Sequence, residues 1–98
     1  MGFEGALDAF QKKKRERMAY IVYELYERGG RANIEEFKGS IATHYGIRRK
    51  TQDEYFEDLK SCGFIGIQGN EIFLVPDRNK IEELLQKQGI SIQKRREM

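Results

Sequence analysis

Arg48, Arg49 and Lys50 are three consecutive cations placed where a helix is about to begin, and phosphate capture is the chemistry that such a placement serves. A helix start presents free backbone amides, and guanidinium or ammonium groups beside them add charge-assisted hydrogen bonds to an anion's oxygens. The stretch from Gly46 to Ile65 carries the pattern that positions them. Gly46 supplies the positive φ that ends one helix, Tyr55, Phe56 and Leu59 fall on one face of the next, and Gly63 stops it before an apolar pair.

Other chemistry is sparse. There is no nucleophile-base-acid arrangement, no metal-ligand spacing and no Gly-rich phosphate loop after a strand, so no catalytic residue, cofactor or metal is expected and the chain does not read as an enzyme. Cys62 is the only cysteine and His44 the only histidine, which leaves no internal disulfide and no zinc site within one chain. Ser40, Ser61 and Cys62 read as helix residues, Cys62 buried at a helix end, and His44 as an outer-face residue without a partner in sequence to tune it.

These features sit on 98 residues, enough for one domain with a modest core. The charged share is 35% and proline occurs once, which describes a folded, strongly charged chain. Net charge is only +2, so attraction to an anionic partner has to come from how charge is distributed. Residues 1–50 carry 11 Lys and Arg against 7 Asp and Glu, a net +4, and residues 51–98 carry 7 against 9, a net −2. Basic clusters lie at Lys12 to Arg17, Arg48 to Lys50 and Lys94 to Arg96. No apolar run approaches the roughly 20 residues of a membrane span, and an intracellular, cytoplasmic location is expected.

In chain order, Met18, Ile21, Val22 and Leu25 repeat at helical spacing and predict a helix ending at Gly29 and Gly30. An N-terminal helical extension, 1–17, precedes it; Lys14 interrupts the apolar line between Phe10 and Met18, which leaves open one long helix from about Gly5. Arg31 and Ala32 form an extended link, and Asn33 with Glu36 makes a capping-box start for a second helix whose inner face is Ile34, Phe37, Ile41 and Tyr45. The third helix has two placements. With Arg48 as boundary, Arg49 and Lys50 lie in its first turn; with Thr51 as cap and Glu54 as its partner, the cations belong to the preceding turn. Phe64 to Gln68 and Glu71 to Val75 then read as strands joined by a tight two-residue Gly69-Asn70 turn. Pro76 ends the second strand, and Asp77 caps a C-terminal helix, 77–89, striped by Ile81, Leu84 and Leu85, ahead of a tail, 90–98.

Helix, link, helix, turn, helix and hairpin is the order of elements in winged helix-turn-helix domains, and Met18 to Val75 resembles that family. It is similar to the small stand-alone regulator type common in archaea, their viruses and bacteria. Gly46 and Ile47 match its turn, Thr51 a threonine four residues on, Tyr55, Phe56 and Leu59 its inner face, and Gly63, Phe64 and Ile65 its exit. The resemblance implies an α+β, mainly α fold: a three-helix core with a β-hairpin wing, 18–75, within a single domain, 1–98. It also implies that the third helix reads the DNA major groove through Arg48, Arg49, Lys50, Thr51, Gln52 and Asp53, with Arg31, Lys38, Gln68 and Asn70 as backbone or wing contacts. Arg48 stands where the family often has a capping serine or threonine, and Gln52 where an aliphatic residue normally points inward, which favours Thr51 as the cap.

Two functions follow. The first is a sequence-specific double-stranded DNA-binding protein and transcription regulator acting as a homodimer, because Phe3, Leu7, Phe10, Ile81, Leu84 and Leu85 exceed what a minimal three-helix core requires. The second is a winged-helix protein-protein interaction module in a transcription or replication assembly, because Asp53, Glu54, Glu57 and Asp58 make the third helix acidic and phosphates repel it. Tyr20, Tyr23 and Tyr26 lie near the basic run and read as packing residues.

Overall fold

Asn33 closes one element and opens the next. Its backbone ends a short strand, while its Oδ1 accepts the amides of Glu35 at 3.0 Å and Glu36 at 3.1 Å, satisfying two donors that a helix start leaves free. In the computed structural model, which describes Leu7 and residues 10–90, the elements are α1 (Lys12–Glu27), β1 (Arg31–Asn33), α2 (Ile34–Tyr45), α3 (Arg49–Ser61), β2 (Ile65–Gln68), β3 (Glu71–Leu74) and α4 (Arg78–Lys87). The fold is α+β and mainly helical, with one three-stranded antiparallel sheet in the order β1-β3-β2.

The link expected at Arg31 and Ala32 is therefore a strand. Arg31 pairs with Phe73, Ala32 with Ile72 and Asn33 with Glu71, so β3 is the central strand. Gly29 and Gly30 both adopt positive φ and swing the chain out of α1 into this edge, with the Gly30 amide bonded to the Leu25 carbonyl at 2.9 Å. On the other side β2 meets β3 through the two-residue turn at Gly69 and Asn70. Gly69 has φ +60 and Asn70 does not share it, the pattern of a type II′ turn.

The core lies between α1, α2, α3, the inner sheet face and α4. Met18, Ile21, Val22 and Leu25 meet Phe37, Ile41, Leu59, Phe64 and Ile72, all buried. Helix α4 closes it with Ile81, Leu84 and Leu85 and is tied to α1 by Tyr26, whose hydroxyl donates to Glu82 at 2.6 Å under the Arg78 guanidinium. Leu7 is also fully buried and Phe10 packs against the cluster.

This corrects the expected dimer interface. Leu7, Ile81, Leu84 and Leu85 are interior to their own chain, and Phe3 lies outside the described residues. The minimal three-helix core was the wrong reference, because α4, Leu7 and Phe10 add to one core. Lys14 likewise does not break α1. Its ammonium lies 5.1 Å from the Phe10 ring centre and 5.7 Å from that of Tyr55, so its stem continues the apolar line while its charge finds acids on α3.

Candidate nucleic-acid interface

Helix α3 is held by one polar and three apolar side chains at helical spacing: Gln52, Tyr55, Phe56 and Leu59, all buried. It starts at Arg49, with Arg48 as the extended boundary residue (φ −63, ψ 150) and no side-chain cap. Thr51 is not the cap. It sits half-buried inside the first turn, so Arg49 and Lys50 are helix residues.

The reason is Gln52. Its Nε2 donates to the carbonyls of Lys38 and Ile47, each at 2.9 Å, so a glutamine serves in the inward position and the helix begins a turn earlier than a threonine cap would place it. Gln52 is fully buried and cannot touch a base, which removes it from the expected contact set. Its Oε1 has no hydrogen-bond partner among the described residues. The 52-55-56-59 spacing was a visible signal of this inward role.

The outer face carries Lys50, Asp53, Glu54, Glu57 and Lys60, and each of its acids has a cation beside it. Lys38 reaches Asp53 at 2.8 Å, Lys60 reaches Glu57 at 3.4 Å, and Lys14 bridges Glu54 at 3.4 Å and Asp58 at 2.5 Å. The Asp58 Oδ2 is buried and takes the Lys14 ammonium as an ion pair. Contact with Asp58, and then Glu54, raises the Lys14 pKa above its ordinary value against the opposing cost of burial.

The expected contact residues thus divide by what already holds them. Arg48 and Lys50 are exposed and have no partner among the described residues. Arg49 is exposed but pairs with Glu35 at 3.0 Å across the start of α2, its guanidinium passing over Gly39. Asp53 is exposed and engaged by Lys38, whose side chain is only 17% exposed and lies over the Phe56 ring, so Lys38 is not free to reach a phosphate. Arg31 is exposed and only loosely paired with Glu71, at 3.9 Å. Gln68 and Asn70 are exposed at the hairpin tip, and the Asn70 carbonyl accepts the Ile34 amide at 2.7 Å. The start of α2 therefore touches both the start of α3 and the hairpin tip, bringing these separate stretches into one neighbourhood.

A second cationic group adjoins this one. Lys13 and Arg17 of α1 line a groove of about 270 Å³ with Tyr20, Tyr45 and Ile47, and the Arg17 guanidinium donates to the Tyr55 hydroxyl at 3.3 Å. Tyr20 and Tyr45 stack with ring centres 5.4 Å apart, and burial together with the Glu24 carboxylate pushes the Tyr45 phenol well above its ordinary pKa. The sequence showed the Lys12 to Arg17 cluster, but not that it lies beside Ile47.

Elsewhere, His44 is exposed beside the Ser40 hydroxyl at 3.2 Å, and Cys62 follows α3 half-buried, with its thiol pKa raised by burial. Among the described residues no group of three or more His, Cys, Asp or Glu side chains converges, and no helix is long and apolar enough to cross a membrane. Comparison with protein families, curated proteins and solved structures gives no match to this chain.

Proposed function

We propose that this chain is a winged helix-turn-helix protein that binds double-stranded DNA, with the start of α3 entering the major groove and a role in transcription regulation. The observation that carries this reading is the pairing state of α3. Its acids are matched by Lys14, Lys38 and Lys60, while Arg48 and Lys50, at its exposed start, are left with charge to offer a phosphate or a guanine edge. The order α1-β1-α2-α3-β2-β3 with β1 against β3 suits the same family, with the β2-β3 hairpin as a short wing. That wing is held against the start of α2 and offers only Gln68 and Asn70 as neutral donors, so most of the contact falls on α3. The dimer interface expected from the sequence has lost Leu7, Ile81, Leu84 and Leu85 to the core of one chain.

A protein-interaction module is the second reading. It is favoured by the outer face of α3, where Arg49, Lys50 and Lys60 balance Asp53, Glu54 and Glu57. Retention on random-sequence duplex at low salt separates the two. DNA binding predicts retention that weakens in Arg48→Ala/Lys50→Ala, and a chain that passes the duplex unretained sinks the DNA reading.

A further inference from the structure

We infer that the duplex does not stop at α3: Lys12, Lys13 and Arg17 of α1 hold the phosphate backbone next to the groove that Arg48 and Lys50 enter. This rests on the duplex reading above and extends it to a second helix.

The argument starts from which cations the fold leaves without a carboxylate. Lys14, Arg28, Arg31, Lys38, Arg49, Lys60 and Arg78 each have one within 4.0 Å, and Lys87 is also engaged. Among the described residues those without are Lys80, at the start of α4, and Lys12, Lys13, Arg15, Arg17, Arg48 and Lys50. All but Lys80 belong to two short stretches, the beginnings of α1 and α3.

Those stretches are neighbours in space. Lys13 and Arg17 share their groove with Ile47, the residue before Arg48, and Arg17 is fixed to α3 through Tyr55. A phosphate strand along this groove would meet cations from two helices, with the stacked Tyr20 and Tyr45 rings as part of its lining. Nucleic-acid backbone fits better than an acidic side chain because cations from two helices flank Ile47 and, among the described residues, Glu16 is the one acid that lines the groove. Lys13 and its neighbour Lys12, which lines a separate groove with Arg15 and Lys87, are exposed in the first turn of a helix with no acid there and no side-chain cap, an arrangement that the helix dipole disfavours without an external anion.

The experiment is fluorescence anisotropy of the full chain with a labelled random-sequence duplex across a series of salt concentrations. Lys12→Ala/Lys13→Ala should weaken binding and lower the slope of log K against log salt by about 1.8, at about 0.9 for each phosphate contact removed. Glu16→Gln should act oppositely and tighten binding. Both variants change exposed side chains only, so their unfolding curves should overlay the parent's.

A parental slope in Lys12→Ala/Lys13→Ala, with the slope lost in Arg48→Ala/Lys50→Ala, overturns the α1 contact and leaves the α3 reading standing. The reverse result keeps the α1 contact and overturns the role given to α3. A parent chain that binds no duplex at low salt overturns both.

Discussion

The Nε2 of Gln52 sits 2.9 Å from the Ile47 carbonyl, and that bond fastens the third helix to the turn leading into it. The same amide nitrogen reaches the Lys38 carbonyl in the middle of α2, so one buried side chain spans helix, turn and helix. Gln52→Ala removes both bonds, leaves the Ile47 carbonyl without this donor and opens a void, and should cost about 1–3 kcal/mol. Gln52→Leu should cost less, because it fills the space and also removes the unpartnered Oε1. Urea unfolding of the two variants measures this, and an unchanged midpoint for the alanine variant would contradict the bond's role.

Gly66 lies opposite Phe73, and a methyl group placed on it would come 2.5 Å from the Phe73 Cζ and 2.7 Å from its Cε2. The ring rests on the glycine. Gly66→Ala should therefore destabilise the sheet by about 1–3 kcal/mol through overpacking. Combining it with Phe73→Leu should cost less than the sum of the two single changes, by at least about 0.5 kcal/mol in a double-mutant cycle. Additive costs would mean that the ring moves aside freely.

Leu84 and Leu85 close the core instead of facing a second chain. Leu84→Ala should cost about 2–5 kcal/mol, as deletion of a fully buried leucine does. The loss should be the same at every protein concentration. A melting temperature that rises with concentration, steeply in the parent and less so in the variant, would place Leu84 at a subunit interface after all.

Alkaline pH should unfold the chain through its phenols. Burial, and then Glu24, raise the Tyr45 pKa above its ordinary 10.0, and burial, and then the hydrogen bond to Glu82, raise that of Tyr26. The folded state thus holds these protons more tightly than the unfolded chain. Their contribution is fully present below about pH 10 and falls as pH climbs towards the folded-state values. Lys14, also raised, acts in the same direction: its contribution is present below its ordinary 10.5 and is lost above it. Urea midpoints should therefore drop above about pH 10 in the parent and drop less in Tyr45→Phe. A Tyr45→Phe curve parallel to the parent's would exclude this phenol as a cause.

What the sequence makes legible is local. Asn33, Gly46, Asp77 and the Gly69-Asn70 turn each act on the next few residues, and each ends or starts its element where the chemistry of caps and turns places it. The mainly helical α+β character followed from them. Strand β1 is legible only as an extended link because Arg31, Ala32 and Asn33 carry no alternation of their own; they form a strand because β3 offers an edge. Lys14 reads as an interruption in sequence because Asp58 and Glu54, which answer its charge, lie some forty residues away. The site divided the same way: the cluster at Arg48 to Lys50 was legible, whereas Arg49 being tied to Glu35 and Lys38 to Asp53 depends on how α2 lies across α3.

The pairing of β1 with β3 also bears on how the chain reaches its fold. Most of this molecule is helix, and helices assemble from near neighbours quickly. Yet Arg31 can meet Phe73 only after α2, the turn and α3 have been threaded between them, and the Ile34 amide that opens α2 finds the Asn70 carbonyl only at that point. Docking of a three-residue strand, rather than helix formation, should set the folding rate, so Ala32→Pro, which removes a strand donor, should slow refolding far more than an equally destabilising change on the exposed face of α4.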